Sequence, residues 1–227
     1  MTPSLPKFAA AGPADLLAGL EQPARDAIVA GGRIRRIPAK GEIITAGHRA
    51  THVFQIQSGQ VRYYHLTKQG DLVQLAWMVP GDVVGLVAML EGPSVYMASA
   101  EAISDCELLT WDQSTIRKLV SLHPLLGENG LRIALGYLRN YIDRHVGLLT
   151  KTAEARLAET LFRLSDRSGE VHPGGIEIHA TNEQLSALAD ISRFTTSRVL
   201  SNWVRSGTVS KGRGRLVLHN PEALMID

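Results

Sequence analysis

The sequence predicts an α+β chain: an antiparallel, jelly-roll-like β-roll, then one long helix, then a pair of short capped helices with a basic hairpin. Three observations carry this. Between Arg33 and Trp111, runs rich in Val, Ile, Tyr and Phe alternate with glycine turns at Gly41, Gly47, Gly59, Gly70 and Gly81. After Pro124, the residues Leu131, Leu135, Leu138, Ile142, His145 and Leu149 follow at spacings of 4, 3, 4, 3 and 4, which is a heptad seam. From Thr181 to Gly207, two helical segments with polar caps meet at a tight turn.

Composition sets the bounds. The 227 residues suit one large or two small domains, and 44% hydrophobic with 20% charged residues is ordinary for a globular protein and wrong for a disordered one. The single cysteine, Cys106, excludes an internal disulfide and a Cys-built zinc or iron–sulfur site within one chain. The start, MTPSLPKFAAAGPADLLAGL, lacks the basic end and apolar core of a signal peptide. No stretch approaches the ~18 consecutive apolar residues of a membrane span, so a cytoplasmic protein without a membrane partner is expected. The net charge of +2 speaks at first against nucleic acid.

Taken in order, residues 1–14 read as a loose arm rich in Ala and Pro. Leu16, Leu17, Leu20, Ala24, Ala27 and Ile28 suit one face of a short helix, broken or turned at Pro23 and ended by Gly31-Gly32. The runs IRRIPA, EIITA, VFQIQ, VRYYHL, VQLAWMV and CELLTW read as strands. From Gln113 the pattern turns helical. The seam helix carries a second stripe through Ala134, Tyr141 and Leu148, so it is expected to pack on its own domain and pair with a second copy of the chain. The alternative is a helix buried inside one monomer. Thr152 is expected to cap ARLAETLFRLSD, and a strand pair is expected around Pro173-Gly174-Gly175. The boundaries are therefore 1–123 for the roll, 124–150 for the long helix and 151–227 for the C-terminal domain.

Thr181-Asn182-Glu183-Gln184 fits a capping box. Its helix carries Leu185, Leu188 and Ala189 on one face and ends at Asp190-Ile191. Ser192 then caps SRFTTSRVLSNWVRSG, with Val199, Leu200, Trp203 and Val204 as the buried face. Arg193, Phe194, Ser197, Arg198 and Ser201 lie opposite. This is a helix-turn-helix, whose second helix enters a DNA major groove. Between Arg193 and Arg215 there are six basic and no acidic residues, so the near-neutral total hides a local concentration of charge. VSKGRGRLVLHN reads as a hairpin with a basic tip, a wing whose Lys211, Arg213 and Arg215 can hold phosphates. The DNA-facing set is Thr181, Arg193, Phe194, Thr195, Ser197 and Arg198 with those three wing residues.

From Arg33 to His219 the arrangement resembles the CRP/FNR family of bacterial transcription regulators. The carrying residues are the glycine-spaced strands with Ser58-Gly59 and Pro80-Gly81-Asp82-Val83-Val84-Gly85, the stretch AEARLAETL, and ISRFTTSRVL at 191–200. The resemblance implies a cyclic-nucleotide-binding-type roll, a homodimer, a near-palindromic double-stranded site, and an activator's contact with RNA polymerase. It implies no enzymatic activity. Arg198 matches the family arginine that contacts guanine O6 and N7. Ser197 matches the small residue beside it. Phe194 stands where the family usually has a glutamate; it cannot accept from cytosine N4 but can lie against a thymine methyl.

The sensor departs further. Gly81 and Gly85 of the family's phosphate cassette are present, but Leu86 stands at the glutamate position and Tyr96-Met97 at the Arg-Ser pair. Tight binding of cyclic AMP or cyclic GMP is therefore not expected. Leu86, Met89, Tyr96 and Met97, with Tyr137, Leu138 and Tyr141 of the long helix, either wall an apolar pocket for another small-molecule effector or fill the roll as core. No cofactor is assigned. The iron–sulfur branch is excluded by the cysteine count, and haem stays open through His48, His52, His65 and His145. A cupin-type metal enzyme is the rival class, but His48 and His52 lack that family's histidine spacing.

Overall fold

The computed structural model describes residues 15–225. Helix α1 spans Gln22–Ala30 and carries Pro23 in its first turn, where the fixed φ and missing N–H are tolerated. The expected helix from residue 15, broken at Pro23, is thus shorter; Leu16 and Leu17 lie buried in the turns before it. The expected arm at 1–14 lies outside the described residues.

Eight strands follow: β1 (Arg33–Ile37), β2 (Glu42–Ile44), β3 (His52–Ser58), β4 (Val61–Leu66), β5 (Leu72–Met78), β6 (Val83–Val84), β7 (Ser99–Ala102) and β8 (Cys106–Asp112). They form two antiparallel four-stranded sheets, ordered β1-β8-β3-β6 and β2-β7-β4-β5, which close the roll. Between them lie Phe54, Ile56, Val61, Leu108 and Cys106, all buried in one apolar cluster. Gly85 sits at φ +80, and a Cβ there would meet the His52 carbonyl at 2.5 Å, so only glycine allows this approach.

Helix α2 (Gln113–Leu122) is capped by Asp112, and α3 runs unbroken over Pro124–Thr150. Ile133 and Tyr137 face the roll, and buried Asn129 donates to the carbonyls of Leu16 and Ala18. Gly130 lets Met89 approach: an added Cβ would lie 2.9 Å from its Sδ.

The C-terminal unit contains α4 (Ala153–Ser168), β9 (Glu170–His172), β10 (Gly175–Ile178), α5 (Asn182–Ala189), α6 (Arg193–Arg205), β11 (Val209–Gly212) and β12 (Arg215–Leu218), with the sheet ordered β11-β12-β10-β9. Its core of Leu157, Leu161, Leu185, Val199, Leu200 and Leu216 takes in two residues of the roll, Trp77 and Val79. Burying a side chain of this size stabilises the contact by about 1.5–3 kcal/mol. Arg167 of α4 pairs with Asp82, whose carboxyl also accepts from the Val79 amide. Burial pushes the Asp82 carboxyl above its ordinary pKa, and the guanidinium opposes that shift.

Candidate nucleic-acid interface

The helix-turn-helix is assembled by its caps. Thr181 Oγ1 accepts from the Gln184 amide at 3.2 Å and Gln184 Oε1 accepts from the Thr181 amide at 2.7 Å. The Thr181 hydroxyl oxygen is therefore occupied at the start of α5. Asp190 closes that helix with φ 51 and ψ 50, the left-handed conformation that Asp adopts at modest cost. Ser192 accepts from the Thr195 amide at 3.0 Å, and the two hydroxyls are hydrogen-bonded at 2.9 Å.

Along α6, Thr196, Val199, Leu200 and Trp203 are buried. Thr196 fills the inner face because its hydroxyl donates to the Ser192 carbonyl, 3.1 Å away. Val204, expected to be buried, is 42% exposed: it stands about 100° round the helix from Trp203, at the edge of the buried stripe. Arg193, Phe194, Ser197, Arg198 and Ser201 form one exposed face. Phe194 is 79% exposed and has no place in the core.

The wing is β11–β12. Gly212 opposes Arg215, which leaves Arg213 and Gly214 as a two-residue tip, and Gly214 takes φ +70 as such a turn requires. Lys211, Arg213 and Arg215 are all exposed. The local charge is lower than the count between 193 and 215 suggests, because folding returns acids from outside that segment. Glu183 pairs with Arg193, and Glu177 lies 3.7 Å from Arg215 and 3.3 Å from His179. Among the described residues, Arg198, Lys211 and Arg213 have no acidic partner.

On α3, Leu131, Leu135, Leu138, Ile142, His145 and Leu149 form one exposed row. The expected wall of Leu86, Met89, Tyr96, Met97, Tyr137, Leu138 and Tyr141 does not come together within one chain. Leu86 and Met89 are half-buried beside Gly130. Tyr96 is core: its hydroxyl donates to the His52 carbonyl and accepts from the Thr51 and His52 amides. Met97, its neighbour, is 78% exposed. The Tyr137 hydroxyl donates to the Val83 carbonyl, and burial raises its pKa. Leu138 and Tyr141 are one and four residues further along the helix and stand on its exposed side.

His48, His65 and His145 are exposed and separate; His52 is half-buried against Phe54. Among the described residues no group of three or more His, Cys, Asp or Glu is arranged to hold a metal ion, and no helix is long and apolar enough to cross a membrane.

Comparison with known proteins gives two family matches: the cyclic nucleotide-binding domain over residues 34–123 and the Crp-like helix-turn-helix domain over 155–225. Among curated proteins, the fumarate and nitrate reduction regulatory protein of Escherichia coli K12 is 27% identical over 189 residues, covering 82% of this chain and 74% of its own length. The anaerobic regulatory protein of Bacillus subtilis is 25% identical, covering 84% and 81%. Among solved structures, FixK2 from Bradyrhizobium japonicum superposes with a TM-score of 0.75 at 26% identity, over 85% of this chain and 95% of its own.

Proposed function

From the premise that the chain belongs to the CRP/FNR family of transcription regulators, we propose that it acts as a homodimer on a near-palindromic site in double-stranded DNA. The observation that carries this is the exposed face of α6, where Arg198, without an acidic partner among the described residues, stands with Phe194 and Ser197. Arg198 reads a guanine edge, while Lys211 and Arg213 hold phosphates and fix the register. The exposed row from Leu131 to Leu149 is the dimer seam, since an apolar stripe of this length on a lone helix finds its partner in a second copy.

The roll answers to an effector other than a conventionally bound cyclic nucleotide or an iron–sulfur cluster. The effector acts by binding one arrangement of the dimer more tightly than another. RNA polymerase is the further partner, and the cytoplasm the place of action.

The test is selection of duplexes from a random library on the purified full-length chain. Two inverted half-sites with centres about one DNA turn apart are expected. Recovery of no common motif would overturn the reading.

A further inference from the structure

Arg144 is 14% exposed, and its guanidinium is fully engaged. Nε and Nη2 donate to the two carboxylate oxygens of Asp190 at 2.6 and 2.7 Å. Nη2 also donates to the Ala187 carbonyl at 3.0 Å. Nη1 donates to the carbonyls of Gln74 and Leu75 at 2.8 and 3.0 Å. One side chain of α3 thus grips the pivot between α5 and α6 and the outer strand of the roll.

Each contact has a local reason. In a regular strand, successive carbonyls point to opposite edges. Here β5 is bulged: Tyr64 faces Gln74 and Tyr63 faces Ala76, so Leu75 is the extra residue and both carbonyls reach the same guanidinium. Asp190 holds a left-handed backbone, which Asp adopts at modest cost, and its carboxylate is bound in two-point fashion. Arg156 adds donors to the carbonyls of Ala189 and Asp190 at 3.1 and 3.2 Å. Phe194, Ser197 and Arg198 stay exposed while these bonds are made.

We infer that Arg144 is a positioning residue for DNA reading: by clasping Asp190 and the β5 bulge together, it fixes how far apart and at what angle the two recognition helices of the dimer are held. This rests on the DNA-reading function proposed above. A dimer reads two half-sites at once only if the protein matches their separation. Each base pair inserted between them shifts one by about 3.4 Å and rotates it by about a tenth of a turn. A rigid Arg144 clasp rejects such sites; a chain without it tolerates them.

The experiment is fluorescence anisotropy on the selected site and on versions with the spacer changed by one or two pairs. It uses the full-length protein, Arg144→Gln, Asp190→Asn and the double variant. Asn also tolerates the left-handed turn, so Asp190→Asn keeps the pivot and leaves Arg144 its carbonyl partners. For the unaltered protein, affinity is expected to fall tenfold or more when the spacer changes. For each variant the fall is expected to shrink below threefold, with binding to a single half-site kept within twofold and the double variant no worse than the singles. An unaltered spacer profile in folded Asp190→Asn overturns the inference. So does tighter binding with the profile unchanged, which would make the clasp a restraint on binding instead. Failure of the unaltered protein to bind any selected duplex would count against the DNA-reading function itself.

Discussion

Glu183, in the first turn of α5, holds the guanidinium of Arg193, the first residue of α6. Both side chains are about two-thirds exposed or more, so the pair itself contributes little to stability, on the order of 0.2–1 kcal/mol. Its effect is on the charge presented to DNA. Glu183→Gln should release Arg193 and remove a carboxylate near the phosphates. Affinity should rise a few-fold, and the slope of log affinity against log salt should steepen by about 0.9. A salt titration between 50 and 200 mM checks this; an unchanged slope would place Arg193 away from phosphate.

Arg198 and Arg213 should separate in kind. Arg198→Ala is expected to cost about 1–3 kcal/mol and to relax discrimination at one base pair. Arg213→Ala should weaken binding to all duplexes alike and reduce the salt slope by about one. Uniform weakening from Arg198→Ala would make it a phosphate contact.

Phe194 should read a methyl group. At the pair it meets, replacing thymine by uracil removes one buried carbon, worth about 0.8 kcal/mol or roughly fourfold in affinity. Phe194→Ala should erase the difference between the two duplexes. Competition binding with single thymine-to-uracil changes across the half-site locates the pair, and equal binding at every position would exclude the contact.

Cyclic nucleotides should bind poorly. The positions that would meet the phosphate carry Tyr96 and Met97, and the Tyr96 hydroxyl is already committed to the backbone of Thr51 and His52. A phosphate brought there lacks an ion-pair partner, at a cost of several kcal/mol (about 2–7 for an uncompensated polar group). Calorimetry should show no micromolar binding of cyclic AMP or cyclic GMP; a micromolar isotherm for either would revise this account of the roll.

Asp112 predicts an acid-sensitive junction. Hydrogen bonds from the Ser114 hydroxyl and the Thr115 amide and hydroxyl, at 2.6, 2.9 and 2.8 Å, hold its carboxyl well below the usual carboxylate range. The depressed folded-state value means that its stabilisation is complete above the unfolded value near about 3.9 and is lost as pH falls toward the folded one. Asp112→Ala should cost about 1 kcal/mol at neutral pH, with the gap to the unaltered protein narrowing below about pH 4. Urea unfolding at a series of pH values measures it.

The long elements were legible because their signals are local. Val- and Ile-rich runs between glycines marked β3, β4, β5 and β8, and Thr181 with Gln184 marked the start of α5. Strands β6 and β7 were not marked: Val83–Val84 is two residues long, and Ser-Ala-Glu-Ala has weak strand preference. They exist because β3 and β4 pair with them. Arg144 and Asp190 are 46 positions apart, and nothing in the sequence around either announces the other. The same holds for Glu177 beside Arg215, which is why a count along the chain overstated the charge of the wing. Within one chain the seven residues do not form one wall for a related reason: a helix sends Tyr137 inward and Leu138 outward.

Trp77 has a consequence of its own. It is a roll residue at 5% exposure inside the core of the DNA-binding unit, and its indole N–H has no hydrogen-bond partner among the described residues. The other two tryptophans, Trp111 and Trp203, are buried within their own units. If the unit swings away from the roll, one tryptophan of three meets water and its N–H gains a partner. The protein therefore carries its own optical gauge of docking, a red shift in emission that needs no added dye.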